Sequence, residues 1–231
     1  MKRIALIHTV QSVYLSFENQ LRDAFADQGE PLKIHNILDD FLAFDALPQE
    51  SGVFTEKNRN RLKLDLESAA MTGADLIVTT CSQISPSVRE LAPSIPTPII
   101  TIDEAMARLA VSSSKRIGLL STASGTVEYV RETLLRESQQ QREVEIQVLC
   151  DNNAILALRR GDMACHDEIV RQLAKQADAC DCIIMAQASA AHMRESVREL
   201  SGIPVFIGTE LCIQQVVSFF REKAEKEGLA Q

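Results

Sequence analysis

A cysteine followed by short polar residues comes directly after an apolar run of this chain. The run, residues 74–80, is rich in β-branched side chains and too short for a helix, so it predicts a buried parallel strand with Cys81 at its carboxyl end. Ser85 and Pro86 have the residue types of a helix start, which we expect to face Cys81. The N–H groups of a helix start favour a thiolate or a bound carboxylate, so this position is suited to acid–base chemistry at a thiol. The alternative is that Cys81 is simply a small buried apolar residue.

Polar residues also follow three other predicted strands. Ser82 and Gln83 follow Cys81 at the end of its own strand. The residues at the ends of the other three strands are His8, Thr9 and Gln11; Ser121, Thr122 and Thr126; and Gln187, Ala188 and Ser189. Parallel α/β sheets bind ligands at the edge where the strand carboxyl ends meet, so we expect these residues to line a binding site. Short hydroxyl and amide donors near helix starts are suited to a small carboxylate.

The elements that position these residues occur twice in the chain. Residues 2–9 are echoed by residues 115–122, an offset of 113 counted from Lys2 to Lys115. Residues 75–83 are echoed by residues 181–189, an offset of 106 counted from Asp75 to Asp181. A repeat of about a hundred residues with its strands in the same order predicts two α/β lobes related by a pseudo-two-fold axis.

The predicted fold is therefore α/β, with two pseudo-symmetric lobes. Each lobe is expected to be a four-stranded, mainly parallel sheet flanked by helices, with the active site in the cleft between the lobes. The first lobe is predicted to comprise residues 1–103 and 210–231, and the second residues 104–209.

Composition narrows the class of partner. The chain has 231 residues, of which 45% are hydrophobic, and its net charge of −8 argues against nucleic acid or an anionic membrane. The six cysteines lack both the dense spacing of a disulfide scaffold and a paired CxxC zinc pattern, so we expect reduced thiols and no metal site. No apolar run reaches the ~18 residues of a membrane helix, which makes the cytoplasm the expected location. The expected partners are a small carboxylate-bearing substrate and further copies of the chain in a homo-oligomer.

These features together resemble the aspartate/glutamate racemase superfamily, which includes hydantoin racemases, maleate isomerases and arylmalonate decarboxylases. The resemblance covers essentially the whole chain. It is carried by the duplicated lobe, by the strand ending Thr-Thr-Cys-Ser at residues 79–82, and by residues 118–126, which resemble the family's substrate-carboxylate loop. It implies cofactor-free proton transfer at a carbon next to a carboxylate or carbonyl, with Cys81 in the place of the family's first catalytic cysteine.

The second lobe departs from the family pattern. The resemblance implies two cysteines, one per lobe, on opposite faces of the substrate, but the repeat places Gln187 at the second position. A neutral amide cannot exchange a proton in this way. Cys180 and Cys182 do not replace the missing thiol, because they are predicted at the start of the strand, ~16 Å from its carboxyl end at 3.3 Å per residue.

His8 is the second candidate catalytic residue. The resemblance places it where glutamate racemases carry an acidic residue near the first cysteine, and an imidazole that titrates near neutrality could lower the pKa of Cys81 or relay its proton. The alternative is a histidine that pairs with polar groups at a strand end. His35, His166 and His192 are predicted to be helical or surface residues.

Three functions remain open at this stage. The first is a racemase or epimerase of a small amino acid, hydantoin or related acid, with Cys81 as the acid–base group. The second is a lyase of the malonate-decarboxylase type, in which one cysteine protonates the enediolate, although family decarboxylases retain the second-lobe cysteine rather than the first. The third is a non-catalytic carboxylate-binding protein.

Overall fold

The computed structural model describes residues 1–26, 31–45 and 54–228, which contain eight strands and ten α-helices. The strands are β1 (Lys2–His8), β2 (Leu32–Leu38), β3 (Leu76–Thr79), β4 (Ile99–Thr101), β5 (Arg116–Ser121), β6 (Glu145–Cys150), β7 (Cys182–Met185) and β8 (Val205–Ile207). The helices are α1 (Gln11–Ala26), α2 (Phe41–Asp45), α3 (Glu56–Met71), α4 (Ser85–Leu91), α5 (Glu104–Ser113), α6 (Ser124–Gln141), α7 (Asn152–Arg159), α8 (Met163–Ala174), α9 (Arg194–Ser201) and α10 (Gly208–Gly228). None of the helices in this part of the chain has the length and apolar character needed to cross a membrane.

The chain forms two compact units. The first comprises Met1–Ile102 and Thr209–Gln231, and the second comprises Asp103–Gly208. The sheet of the first unit has the strand order β2-β1-β3-β4, and all its neighbouring strands are parallel. Every residue of β3 is buried, as expected for a central strand that helices cover, so the predicted buried strand before Cys81 is confirmed.

The sheet of the second unit repeats this arrangement strand for strand. Its order is β6-β5-β7-β8, again entirely parallel. The register is also repeated: Ile4 pairs with Leu76 in the first sheet, and Ile117 pairs with Cys182 in the second. Ile117 lies 113 residues after Ile4, and Cys182 lies 106 residues after Leu76, which are the two offsets seen in the sequence. The prediction of two α/β lobes with four-stranded parallel sheets flanked by helices is confirmed.

Each unit has an apolar core of its own. In the first unit, side chains of β1 and β3 pack against the apolar faces of α3 and α4, including Leu62, Leu66 and Val88. In the second, side chains of β5 and β7 pack against α8 and α9, including Val170 and Val197. The helices thus bury one face of each sheet and leave the loops at the strand ends to carry polar groups.

Candidate active site

Cys81 lies in the loop that follows β3. Its backbone is extended, with φ −133° and ψ 119°, and it directly precedes a 3₁₀ turn at Ser82–Ile84. The sequence predicted Ser85 as a helix cap facing Cys81. The prediction was wrong in this detail, because the extra turn makes Ser85 the first residue of α4, with Pro86 in its first turn. The side chain of Cys81 is half-buried and packs against the apolar core of the first unit.

Gln187 holds the equivalent position in the second unit. Its backbone is also extended, with φ −112° and ψ 131°, and it precedes the 3₁₀ turn Ala188–Met193. The side-chain Oε1 accepts a hydrogen bond from the N–H of Thr122 at 3.0 Å, and Nε2 donates to Oγ of Ser121 at 2.9 Å. Both ends of the amide therefore anchor the loop that follows β5, which gives Gln187 a positioning role that needs no proton exchange.

The backbone hydrogen bonds at the two sheet edges are also duplicated. In the first unit the N–H of Thr80 donates to the carbonyl of Ile7 at 3.1 Å, and in the second the N–H of Ala186 donates to the carbonyl of Leu120 at 2.9 Å. Thr9 and Cys81 therefore follow the ends of neighbouring strands in the first unit. Adjacent strands are about 4.8 Å apart, so these two residues emerge side by side.

Buried threonine hydroxyls mark both edges. The Oγ1 atoms of four threonines at or just beyond strand carboxyl ends are buried and have no hydrogen-bond partner among the described residues: Thr9 after β1, Thr79 in β3, Thr101 in β4 and Thr122 after β5. Buried hydroxyls are normally paired, since leaving one unpaired costs about 1–3 kcal/mol. Unpaired donors at this edge of an α/β sheet are what a bound carboxylate would satisfy.

His8 is completely buried at the end of β1. The amide nitrogen of Asn36 donates a hydrogen bond to Glu18 at 2.7 Å, so the oxygen Oδ1 is the end of this amide that faces His8. Oδ1 accepts a hydrogen bond from Nε2 of His8 at 3.1 Å. Nδ1 of His8 then accepts from the hydroxyl of Thr80 at 2.9 Å. Burial lowers the pKa of His8, while the hydrogen bond to Asn36 and the charge of Glu18 raise it by less, so the ring is neutral at pH 7. The structure places His8 beside the residue that precedes Cys81, and its catalytic role stays a prediction.

The other predicted site residues occupy the loops and first helical turns at the same edges. Gln11 is exposed at the start of α1; Ser82 and Gln83 are buried in the turn after Cys81; Ser121 is fully buried and Thr126 nearly so; Ala188 and Ser189 are half-buried after Gln187. The structure therefore brings the predicted residues together as two groups, one at the edge of each sheet.

The remaining cysteines of the second unit have different surroundings. Cys182 is the first residue of β7, and burial raises its pKa to about 11, so its thiol stays protonated at neutral pH. Cys180 packs against Gly118: a Cβ atom added to Gly118 would lie 3.2 Å from the Sγ atom of Cys180. Cys150 ends β6 opposite Ser121 in the register and hydrogen-bonds to it. Sequence reasoning missed Cys150, because only the strand pairing brings it to the loop that Gln187 anchors.

A pair of carboxyl groups beside β2 was also missed. Asp39 follows β2, and Asp65 on α3 hydrogen-bonds to it. Burial, followed by the negative charge and hydrogen bond of Asp39, raises the pKa of Asp65 to about 7, and Arg61 lowers it by less. Arg61 also forms an ion pair with Asp39. No sequence pattern connects Asp39 and Asp65, since they approach only when α3 packs on the sheet.

The raised pKa of Asp65 predicts a pH dependence of stability. An unfolded aspartate releases its proton near 3.8, whereas the folded protein keeps it up to about 7. The folded state therefore binds more protons between these values, and the free energy of unfolding should fall as pH rises from about 4 to about 7. Asp65→Asn should flatten this fall in urea unfolding. Glu67→Gln, a surface change on the same helix, is the control and should keep it; an unchanged slope in Asp65→Asn would contradict the assignment.

Comparison with known proteins places these features in a family context. The family model described as Asp/Glu/Hydantoin racemase matches residues 6–216. None of the curated proteins is a significant match to this chain.

Solved structures of racemases have the same fold. Allantoin racemase from Klebsiella pneumoniae superposes with a TM-score of 0.66 and 18% identity, covering 96% of this chain and 89% of that protein. Glutamate racemase from Francisella tularensis, in complex with D-glutamate, gives a TM-score of 0.71 and 13% identity over 96% of this chain and 82% of that protein. The aspartate racemase of Picrophilus torridus gives 0.68 and 15% over 94% of both chains.

Proposed function

Because the chain belongs to the Asp/Glu/hydantoin racemase family, we propose that it is an isomerase of the racemase type that acts without a cofactor on a small carboxylic acid. Cys81 is the acid–base group: its thiolate removes the proton at the carbon next to the carboxylate, and its thiol returns one. The observation that carries the proposal is the position of Cys81 at the carboxyl end of the buried strand β3. Thr9, whose hydroxyl has no partner among the described residues, follows the neighbouring strand β1.

The threonine hydroxyls bind the substrate carboxylate in this proposal. Thr9 and Thr122 hold equivalent positions in the repeat, and each has a buried Oγ1 without a partner among the described residues. A hydroxyl that donates to a carboxylate forms a charge-assisted bond, which is stronger than one between neutral groups. His8 contributes by holding Thr80, next to Cys81, through its Nδ1.

Because Gln187 stands in the place of a second thiol, we expect one-sided chemistry, in which the α-proton is exchanged on only one face of the substrate. Both ends of the Gln187 amide are used to anchor Ser121 and Thr122, and an amide has no exchangeable acid. Exchange of the α-proton by Cys81 alone would retain the configuration of the substrate. The same observation favours a second candidate function, a decarboxylase of malonate-type acids, because protonation of an enediolate after loss of carbon dioxide needs only one thiol.

Proton exchange in D₂O tests the proposal directly. The protein would be incubated with aspartate, glutamate, hydantoins, allantoin and substituted malonates, while NMR follows deuterium at the α-carbon and optical rotation follows configuration. We expect deuterium incorporation with at least one acid. Carbon dioxide release would identify the decarboxylase instead. A lack of exchange with every acid, together with measurable binding, would contradict enzymatic function and leave a carboxylate-binding protein.

Substitution of the threonines tests how the acid is bound. Thr9→Val and Thr122→Val keep the side-chain shape and remove the hydroxyl, so each should weaken binding of the acid by roughly 10- to 100-fold. Neither should lower the free energy of unfolding, because the lost hydroxyl has no partner among the described residues. Calorimetric titration and urea unfolding give the two readouts. Thr72→Val, in the exposed turn after α3, is the matched control; unchanged affinity in both edge variants would contradict carboxylate binding there.

A further inference from the structure

Two histidines and an aspartate meet in the second unit, apart from the residues already described. His166 and Asp167 lie in the first turns of α8, and His192 lies in the 3₁₀ turn that follows Gln187. The same carboxylate oxygen, Oδ1 of Asp167, is 2.8 Å from Nδ1 of His166 and 2.9 Å from Nε2 of His192. The two rings are stacked, with centroids 5.7 Å apart.

Both ring nitrogens of His192 face hydrogen-bond acceptors. Its Nδ1 is 3.2 Å from the backbone carbonyl of Ser189, and its Nε2 faces the carboxylate of Asp167. Both partners only accept hydrogen bonds, but a neutral imidazole has a single N–H and can satisfy only one of them. If Nδ1–H donates to Ser189, the lone pair of Nε2 points at a carboxylate oxygen. A cation between Nε2 and Oδ1 removes that repulsion.

His166 adds a second imidazole to the same place. Its side chain is completely buried, and its Nδ1 is the ring nitrogen that faces Asp167, 2.8 Å from Oδ1. One ligand atom from each of the three residues can be chosen so that all lie within 4.8 Å of one another. A tetrahedral zinc ion with bonds of about 2.0–2.2 Å needs ligand atoms roughly 3.3 Å apart, so small side-chain movements suffice.

We propose that His166, Asp167 and His192 bind a divalent transition-metal ion, with zinc as the best fit. Two imidazoles and a carboxylate are a ligand set that zinc accepts, and the carbonyl of Ser189 fixes the ring of His192 with Nε2 toward the ion. His192 is partly exposed, which provides a path for the ion from solvent. The ion links α8 to the turn after Gln187 and so stabilises the second unit.

Metal titration of the chelator-treated protein tests this site. Zn²⁺ would be titrated by calorimetry and Co²⁺ by absorption, because the Co²⁺ spectrum distinguishes thiolate from imidazole and carboxylate ligands. We expect the wild-type protein to bind one equivalent, to show no thiolate charge-transfer band, and to unfold at a higher temperature with the metal. His192→Gln and Asp167→Asn should each weaken binding by at least about tenfold.

The controls make the outcome decisive. His35→Gln changes a histidine of β2 outside the cluster and should bind the metal as the wild type does. The proposal is overturned if the wild-type protein binds no metal, if both cluster variants bind as tightly as the wild type, or if Co²⁺ shows thiolate ligation.

Discussion

Cys81→Ser is expected to lower the rate of α-proton exchange on the true substrate by roughly 100- to 10,000-fold, the usual contribution of a general acid or base. A serine hydroxyl is too weak an acid to replace the thiol without an adjacent base. Both ring nitrogens of His8 are engaged in hydrogen bonds, Nδ1 with Thr80 and Nε2 with Asn36, and its catalytic role stays a prediction. The measurement is deuterium incorporation at the α-carbon under saturating substrate.

Two controls separate loss of chemistry from loss of structure. Cys165→Ser replaces a half-buried thiol of α8 outside both sheet edges and should retain full exchange. Cys81→Ser should bind the acid within a few-fold of wild type, because the threonine hydroxyls remain. Full exchange activity in Cys81→Ser would show that another group carries the proton and that Cys81 is a packing residue.

Gln187→Cys is expected to produce racemisation of an acid that the wild-type protein only exchanges with retention. The substitution puts a thiol at the position that the repeat makes equivalent to Cys81, where the backbone has the same extended conformation. A second thiol allows a proton to be removed on one side of the substrate and delivered on the other. Optical rotation and deuterium incorporation, followed on the same sample, measure the change.

The same substitution should also weaken the second unit. Cysteine cannot replace the hydrogen bonds of Gln187 to Ser121 and Thr122, so the free energy of unfolding should fall by about 1–3 kcal/mol. Gln187→Ala is the matched variant, which should lose the same stability without gaining racemisation. Complete racemisation by the wild-type protein would contradict one-sided chemistry. Cys150→Ser would then test whether the thiol beside Ser121 is the second acid.

Local patterns in the sequence were enough to predict the architecture. Strand length, the β-branched run before Cys81 and the two offsets of the repeat each depend on residues close in the chain or on direct comparison of two segments. The pairing of Ile4 with Leu76 and of Ile117 with Cys182 has the register that the offsets imply. The equivalence of Cys81 and Gln187 follows from the same comparison. The 3₁₀ turn before Ser85 was missed, because its three residues have no periodicity of their own.

The partners of the polar side chains could not be predicted in this way. Gln187 reads in sequence as a lost cysteine, whereas in the structure its amide holds the loop after β5. The raised pKa of Asp65 depends on Asp39, which belongs to a different element. His166 in α8 and His192 in the turn before α9 are 26 residues apart, counted as 192 − 166, and carry no spacing typical of a metal site.

The sequence by itself thus determined the fold class, the duplication and the position of a thiol at a strand end, because backbone propensity and hydrophobic periodicity act over a few residues. Only the tertiary structure decided which polar atoms are satisfied: the paired ring of His8, the anchored amide of Gln187, and the hydroxyls of Thr9 and Thr122, which have no partner among the described residues. Hydrogen bonding depends on distances of about 3 Å between side chains far apart in sequence. Those distances exist only after strands and helices have packed.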